Sequence, residues 1–139
     1  MSVETDVVYQ GQLRCQATHV PSKGTLITDA PVDNGGQGAA FSPTDLVSAA
    51  LGTCMLTIMG LAVERSGLDI KGTHIHVTKE MSSSPPRRVS SLRVTITMPK
   101  GKNYSEADRK KLEHAAQACP VKHSLHPEIS IPIEFIYPK

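Results

Sequence analysis

The chain has 139 residues, 39% hydrophobic and 20% charged, with a formal net charge of +2 and a pI near 8.5. It is long enough to bury a core as one ordinary domain. Its balanced charge and lack of a dense basic run with interleaved aromatics argue against nucleic-acid binding. Two Phe, three Tyr and no Trp leave little for aromatic stacking, and three cysteines without CxxC spacing weaken zinc-ribbon and thioredoxin readings. The N-terminal MSVETDVVYQ carries neither a basic n-region nor an apolar h-region. The expected compartment is the cytoplasm, where stable disulfides are rare and free thiols are available for chemistry.

Val7 to His19 reads as a strand, with Val7, Tyr9, Leu13, Cys15 and Ala17 on one face and Gln10, Gln12, Arg14, Gln16 and Thr18 on the other. Cys15 then reads as a small buried hydrophobe. Arg14 points the opposite way. Pro21 to Gly24 reads as a turn and Thr25 to Thr28 as a second short strand. The glycine-rich VDNGGQGAAFSP follows. It lacks the spacing of a phosphate loop, and reads as a flexible crossing into the next helix or as a pocket wall.

The run from Ser42 to Gly67 dominates the chain. Ser42 is placed as an N-cap, Pro43 as a first-turn proline, Asp45 as a first-turn carboxylate and Gly67 as a closing glycine. Leu46 to Val63 carries no charge. A helix apolar on all sides is expected to be buried on all sides. The run reaches the length of a membrane span, but Ser48, Gly52, Thr53, Thr57 and Gly60 dilute it and no aromatic belt or basic flank brackets it. The expectation is therefore a central core helix, with no membrane, carrying Cys54 near its middle.

After Gly67 the period becomes alternating. Thr73, Ile75 and Val77 oppose His74 and His76; Leu92, Val94, Ile96 and Met98 oppose Arg93, Thr95 and Thr97. These runs pair most simply as an antiparallel hairpin. His74 and His76 could reach one metal, but no third ligand lies nearby in sequence. Ser105 with Asp108 forms a capping box that opens a helix, on which Leu112, Ala115, Ala116 and Cys119 recur at helical spacing. Pro120 then starts a new helical turn, VKHSL. That places Cys119 at a helix N-terminus, where backbone N–H groups and the dipole favour a thiolate. Lys122 and His123 could add positive charge. Ile129, Ile131, Ile133, Phe135 and Tyr137 make a last strand, at a sheet edge because Pro132 cannot donate to a ladder. The fold class is α+β, a single domain over residues 1–139 with sheets closing on a buried helix.

A cysteine nucleophile needs its thiolate, which nearby cations or a helix N-terminus favour. A thiolate that attacks a peroxide becomes a sulfenic acid, and a second thiol can condense with it to a disulfide. Cys54 and Cys119 could act in this way if the fold brings their Cα atoms within roughly 7 Å. Two unrelated buried thiols are the alternative.

SPTDLVSAALGTC and QACPVKHSL resemble the OsmC/Ohr family, the osmotically inducible and organic hydroperoxide resistance proteins, and the resemblance runs from the first strand through the terminal EFIY. It implies antiparallel sheets wrapped around the central helix and an intertwined homodimer with active sites at the subunit interface. By the matching positions it implies Cys54 as the peroxidatic cysteine and Cys119 as the resolving one. It also implies an organic hydroperoxide as substrate, a dithiol of the lipoyl type as reductant, and no metal or organic prosthetic group. The family's arginine matches Arg14 best, whose fork could favour the Cys54 thiolate and hold a peroxide oxygen. One departure stands out: where the best-known peroxidases place a glutamate directly after the proline, to hold that arginine, this chain has Thr44. Asp45 is adjacent, but nine residues before Cys54 it lies about 180° round the helix from the sulfur.

Two other functions compete with the peroxidase reading. A ligand-binding or redox-sensing protein of the same fold would account for the missing glutamate and the glycine-rich approach to the helix. A metal site built from His114, Cys119, His123 and His126 lacks the usual paired-ligand spacing.

Overall fold

The structure, a computed structural model, describes all 139 residues. The chain divides into two compact units, Met1–Val47 and Ser48–Lys139.

In the first unit β1 (Thr5–Gly11), β2 (Arg14–His19) and β3 (Thr25–Asp29) form an antiparallel sheet in the order β1-β2-β3. The expected single strand from Val7 to His19 is in fact a hairpin. Gly11, Gln12 and Leu13 all take positive φ, a left-handed turn that reverses the chain. The expected face grouping survives because Val7 stands opposite Ala17, and Tyr9 opposite Cys15. That face is not covered, however: Val7 and Tyr9 are each more than 60% exposed. Cys15 is half-buried.

The glycine-rich segment after β3 is pinned rather than loose. A 3-10 turn spans Val32–Asn34, the Gly38 amide donates to the Ala30 carbonyl at 3.2 Å, and the Asp29 amide donates to the Phe41 carbonyl at 3.1 Å. Gly36 packs so closely that a Cβ there would lie 1.8 Å from the Ala30 carbonyl oxygen, so the position admits no side chain.

The long helix α1 spans Pro43–Val63. It opens with a reciprocal cap: the Asp45 amide donates to Ser42 Oγ at 3.1 Å and the Ser42 amide donates to Asp45 Oδ2 at 2.9 Å. It ends four residues before Gly67, where the Ser66 amide and hydroxyl both reach the Val63 carbonyl. Burial of α1 differs from expectation. Leu51, Gly52, Met55, Met59 and Val63 are buried, whereas Ala50, Thr53, Thr57 and Leu61 form an exposed stripe at helical spacing. The two threonines satisfy their hydroxyls on carbonyls one turn back, which suits an uncovered face. By length and composition alone α1 is apolar enough to cross a membrane, with a mean hydropathy of 2.0.

The second unit holds the core. β4 (His74–Met81), β5 (Val89–Thr97) and β6 (Ile133–Ile136) form a sheet with β5 in the centre. The β4–β5 pair is the expected antiparallel hairpin, with Ile75 opposite Ile96 and Val77 opposite Val94. The β5–β6 pair is parallel. Its physical reason is the connection: α2 (Glu106–Gln117) and α3 (Pro120–Ser124) carry the chain back before β6 begins, and parallel strands require such a crossover. β6 is an edge strand, as Pro132 suggests; Pro132 takes part through its carbonyl, which accepts the Val94 amide at 2.9 Å.

Leu51, Met55 and Met59 of α1 are fully buried, as are Leu92, Ile96, Met98 and Leu112. Each such side chain contributes roughly 1.5–3 kcal/mol of transfer free energy. Gly52 sets the approach of α1 to the sheet: a Cβ there would sit 3.3 Å from Ile75 Cγ2 and 3.5 Å from Val77 Cγ2.

Candidate functional site

The capping box at Ser105 and Asp108 fixes the start of α2. Twelve helical residues later the chain turns at Ala118 and restarts at Pro120, whose fixed φ suits the first helical position. Cys119 is therefore the N-cap of α3, and its Sγ accepts the Lys122 backbone amide at 3.4 Å. The side chain is completely buried.

The fold brings this sulfur to Cys54. The two thiols are near enough for each to feel the other, although one lies mid-way along α1 and the other at the junction of α2 and α3. Both are reduced. Cys54 is half-buried, on the boundary between the buried and exposed faces of α1.

The expected thiolate at Cys119 is a correction. Burial pushes the Cys119 thiol above its ordinary value, and the neighbouring Cys54 raises it further; the amides of Lys122 and Val121 lower it but do not prevail. A one-turn helix contributes two amides, while removal from water penalises the charge from every side. It is the backbone amide of Lys122, rather than its ammonium group, that reaches the sulfur. The more exposed Cys54 is thus the sulfur available to an incoming molecule, and Cys119 is a buried, protonated neighbour.

Arg14 lies in the first unit, at the start of β2. Its Nη2 donates to Gln37 Oε1 at 2.9 Å and lies 3.6 Å from Asp29 Oδ2. Register explains this contact, since Arg14 stands directly opposite Asp29 across the β2–β3 ladder. Asp29 is 1% exposed, Arg14 about one-third exposed. The Ala39 amide donates to Asp29 Oδ2 at 3.0 Å and does most to hold this carboxyl below its ordinary value; burial opposes it, and the Arg14 guanidinium adds to the lowering. Asp29 Oδ1 is buried with no hydrogen-bond partner.

Asp29 and Gln37 were not among the sequence-predicted residues. A hairpin centred between Pro21 and Ser22 places Arg14 opposite Asp29, so that carboxylate was within reach of a register argument. Gln37 comes from the folded-back loop and had no such signal. Asp45, expected as a first-turn carboxylate, also accepts the Ser42 amide at 2.9 Å. His114, Cys119, His123 and His126 are not assembled as a metal-binding group, and no cluster of three or more potential ligands occurs elsewhere.

Residues 35–134 match the family described as OsmC-like protein. A solved structure from Psychrobacter arcticus, named for osmotic stress and a detoxification response, is 44% identical over 94% of this chain and 93% of that one, with a TM-score of 0.88. An organic hydroperoxide resistance protein OsmC from Legionella pneumophila is 14% identical, covering 98% and 97%, with a TM-score of 0.76. An organic hydroperoxide resistance protein from Elizabethkingia anophelis is also 14% identical, covering 99% and 96%, with a TM-score of 0.77. At that identity the last two speak for the fold. Comparison with curated proteins finds no match.

Proposed function

As the chain belongs to the OsmC-like protein family, we propose that it is a thiol-dependent reductase of organic hydroperoxides with a role in stress protection. One observation carries this reading: the half-exposed Cys54 thiol has the fully buried Cys119 thiol, from a distant part of the chain, as its neighbour.

The Cys54 thiolate attacks the terminal, hydrogen-bearing oxygen of the hydroperoxide. An S–O bond forms, the O–O bond breaks, and the alcohol leaves after taking a proton. Cys54 is now a sulfenic acid and the peroxide has been reduced by two electrons. The Cys119 sulfur then attacks Cys54; an S–S bond forms, the S–O bond breaks and water leaves. A dithiol of the lipoyl type opens the disulfide by thiol exchange and is itself oxidised. Arg14 is the cation we assign to the attacking thiolate and to the peroxide oxygen. A reducing compartment, the cytoplasm, keeps the pair in its dithiol form between turnovers.

We further infer that the working unit is a homodimer. Val7, Val8 and Tyr9 of β1, Leu26 and Ile27 of β3, and Leu61 of α1 are all exposed by more than 40%. By register Val7, Tyr9 and Leu26 share one face of the first unit's sheet, and apolar exposure along one sheet face marks an association surface.

The test is peroxide consumption with a lipoyl dithiol as reductant. Cys54→Ser is expected to abolish it. Cys119→Ser is expected to allow one turnover and then leave Cys54 as sulfinic acid. Unchanged turnover by Cys54→Ser would remove the proposal.

A further inference from the structure

We propose that Asp29 is the positioning residue for Arg14, taking the role that a glutamate after the helix proline has in the peroxidases this chain resembles, where it has Thr44. That Arg14 acts at the reacting sulfur rests on the function proposed above; that Asp29 and Gln37 fix its guanidinium does not.

A flexible arginine on a strand has many rotamers, and a guanidinium that is to meet a developing charge must be held beforehand. Two groups hold this one. Gln37 accepts from Nη2 at 2.9 Å, and the Asp29 carboxylate lies 3.6 Å from the same nitrogen. The carboxylate is itself fixed. It sits at the end of β3, almost fully buried, and the Ala39 amide donates to its Oδ2 at 3.0 Å. A buried carboxylate demands a nearby cation, and Arg14 is the one its register supplies. Its second oxygen is buried without a hydrogen-bond partner, which adds to its demand for a cation. The loop that carries Gln37 is anchored by the Gly38 and Ala39 amides, so both partners of Arg14 depend on one folded segment. The helix-capping Asp45 is engaged by the Ser42 amide.

Asp29→Asn separates the two duties of this side chain. The amide oxygen can still accept from Ala39, which keeps the loop, while the charge facing Arg14 is gone. The direct readout is 15N NMR of the arginine side chains. In the wild type the Arg14 Nη signals are expected to be resolved by slowed rotation. In Asp29→Asn they are expected to collapse toward those of a free surface arginine. Unchanged Arg14 signals would overturn the proposal. Should Asp29→Asn not fold, Gln37→Met removes the other partner and leaves the carboxylate in place. A shifted Nη signal there supports the clamp, and an unshifted one overturns it.

Activity adds an independent check. Asp29→Asn is expected to lower kcat/KM for an organic hydroperoxide about ten-fold or more, the scale of a misplaced group. In an Arg14→Ala background it should cost nothing further. An equal loss in both backgrounds would make Asp29 merely structural and overturn its positioning role. Turnover indifferent to Arg14→Ala would instead remove Arg14 from the proposed function, with the NMR result still deciding whether Asp29 holds it.

Discussion

Gly36→Ala tests how tightly the first unit is built around its loop. The added Cβ would lie 1.8 Å from the Ala30 carbonyl oxygen, 2.3 Å from its carbon and 2.7 Å from Ala30 Cα. Contacts below 3.0 Å essentially never occur for real Cβ atoms, so the segment must retreat by about 1.2 Å from the oxygen alone. The obstacle is backbone, held in place at the end of β3, and no rotamer relieves it. Such a retreat breaks the hydrogen bonds that the Gly36 amide donates to the Pro31 carbonyl and the Gly38 amide to the Ala30 carbonyl. At about 0.5–1.5 kcal/mol each, the two come to about 1–3 kcal/mol. Reduced freedom of the unfolded chain returns at most about 1 kcal/mol, and then only where the native conformation tolerates alanine. The variant should therefore unfold at lower urea with an unchanged slope, and melt a few degrees lower. The Ala39–Asp29 contact lies in the same segment, so Arg14 should also lose its order. A Gly36→Ala protein as stable as the wild type, or more so, would refute the packing of this loop.

Gly60→Ala is the opposite case. A Cβ there meets nothing within 4 Å, so the helix should gain about 0.5–1 kcal/mol, read by urea unfolding. Leu112→Ala removes a fully buried side chain of α2 and should cost about 2–5 kcal/mol by the same assay. Tyr137 should make the fold alkali-sensitive. Burial, with the Glu113 carboxylate adding to it, pushes this phenol from 10.0 up to about 12. The stability it contributes is then complete below pH 10 and lost as pH rises toward 12, and Tyr137→Phe should flatten that part of a pH–stability profile. A charge introduced by Leu61→Asp on the exposed stripe of α1 should shift the protein toward monomer in light scattering, with its secondary structure kept.

Local chemistry was readable where a few adjacent residues decide the outcome. Ser42 caps α1 as its place before Pro43 suggests, and Ser105 with Asp108 closes a reciprocal cap as their spacing suggests. Pro120 restarts a helix and leaves Cys119 as its cap. The alternation from Leu92 to Met98 marks the central strand and its buried face. Gln12 and Leu13, by contrast, are unusual residues for a left-handed turn, so a hairpin reads as one strand. Hydropathy alone could not reveal that α1 has an uncovered face, because Thr53 and Thr57 hide their polarity in backbone hydrogen bonds.

The site was half legible for a related reason. The two cysteines were identified by type and motif, but their meeting is a long-range fact. The state of Cys119 turns on burial, which overrides the dipole that sequence makes visible. The partners of Arg14 turn on strand register and on a loop that folds back over its own strand, neither of which resembles a motif.

The most direct test is to treat the fully reduced protein with one equivalent of an organic hydroperoxide and map the cysteines by mass spectrometry. A rapid Cys54–Cys119 disulfide, with Cys15 still free, is the expected result. Both thiols remaining reduced over the time in which an ordinary free thiol reacts would contradict the peroxidase reading and favour a ligand-binding role for the same fold.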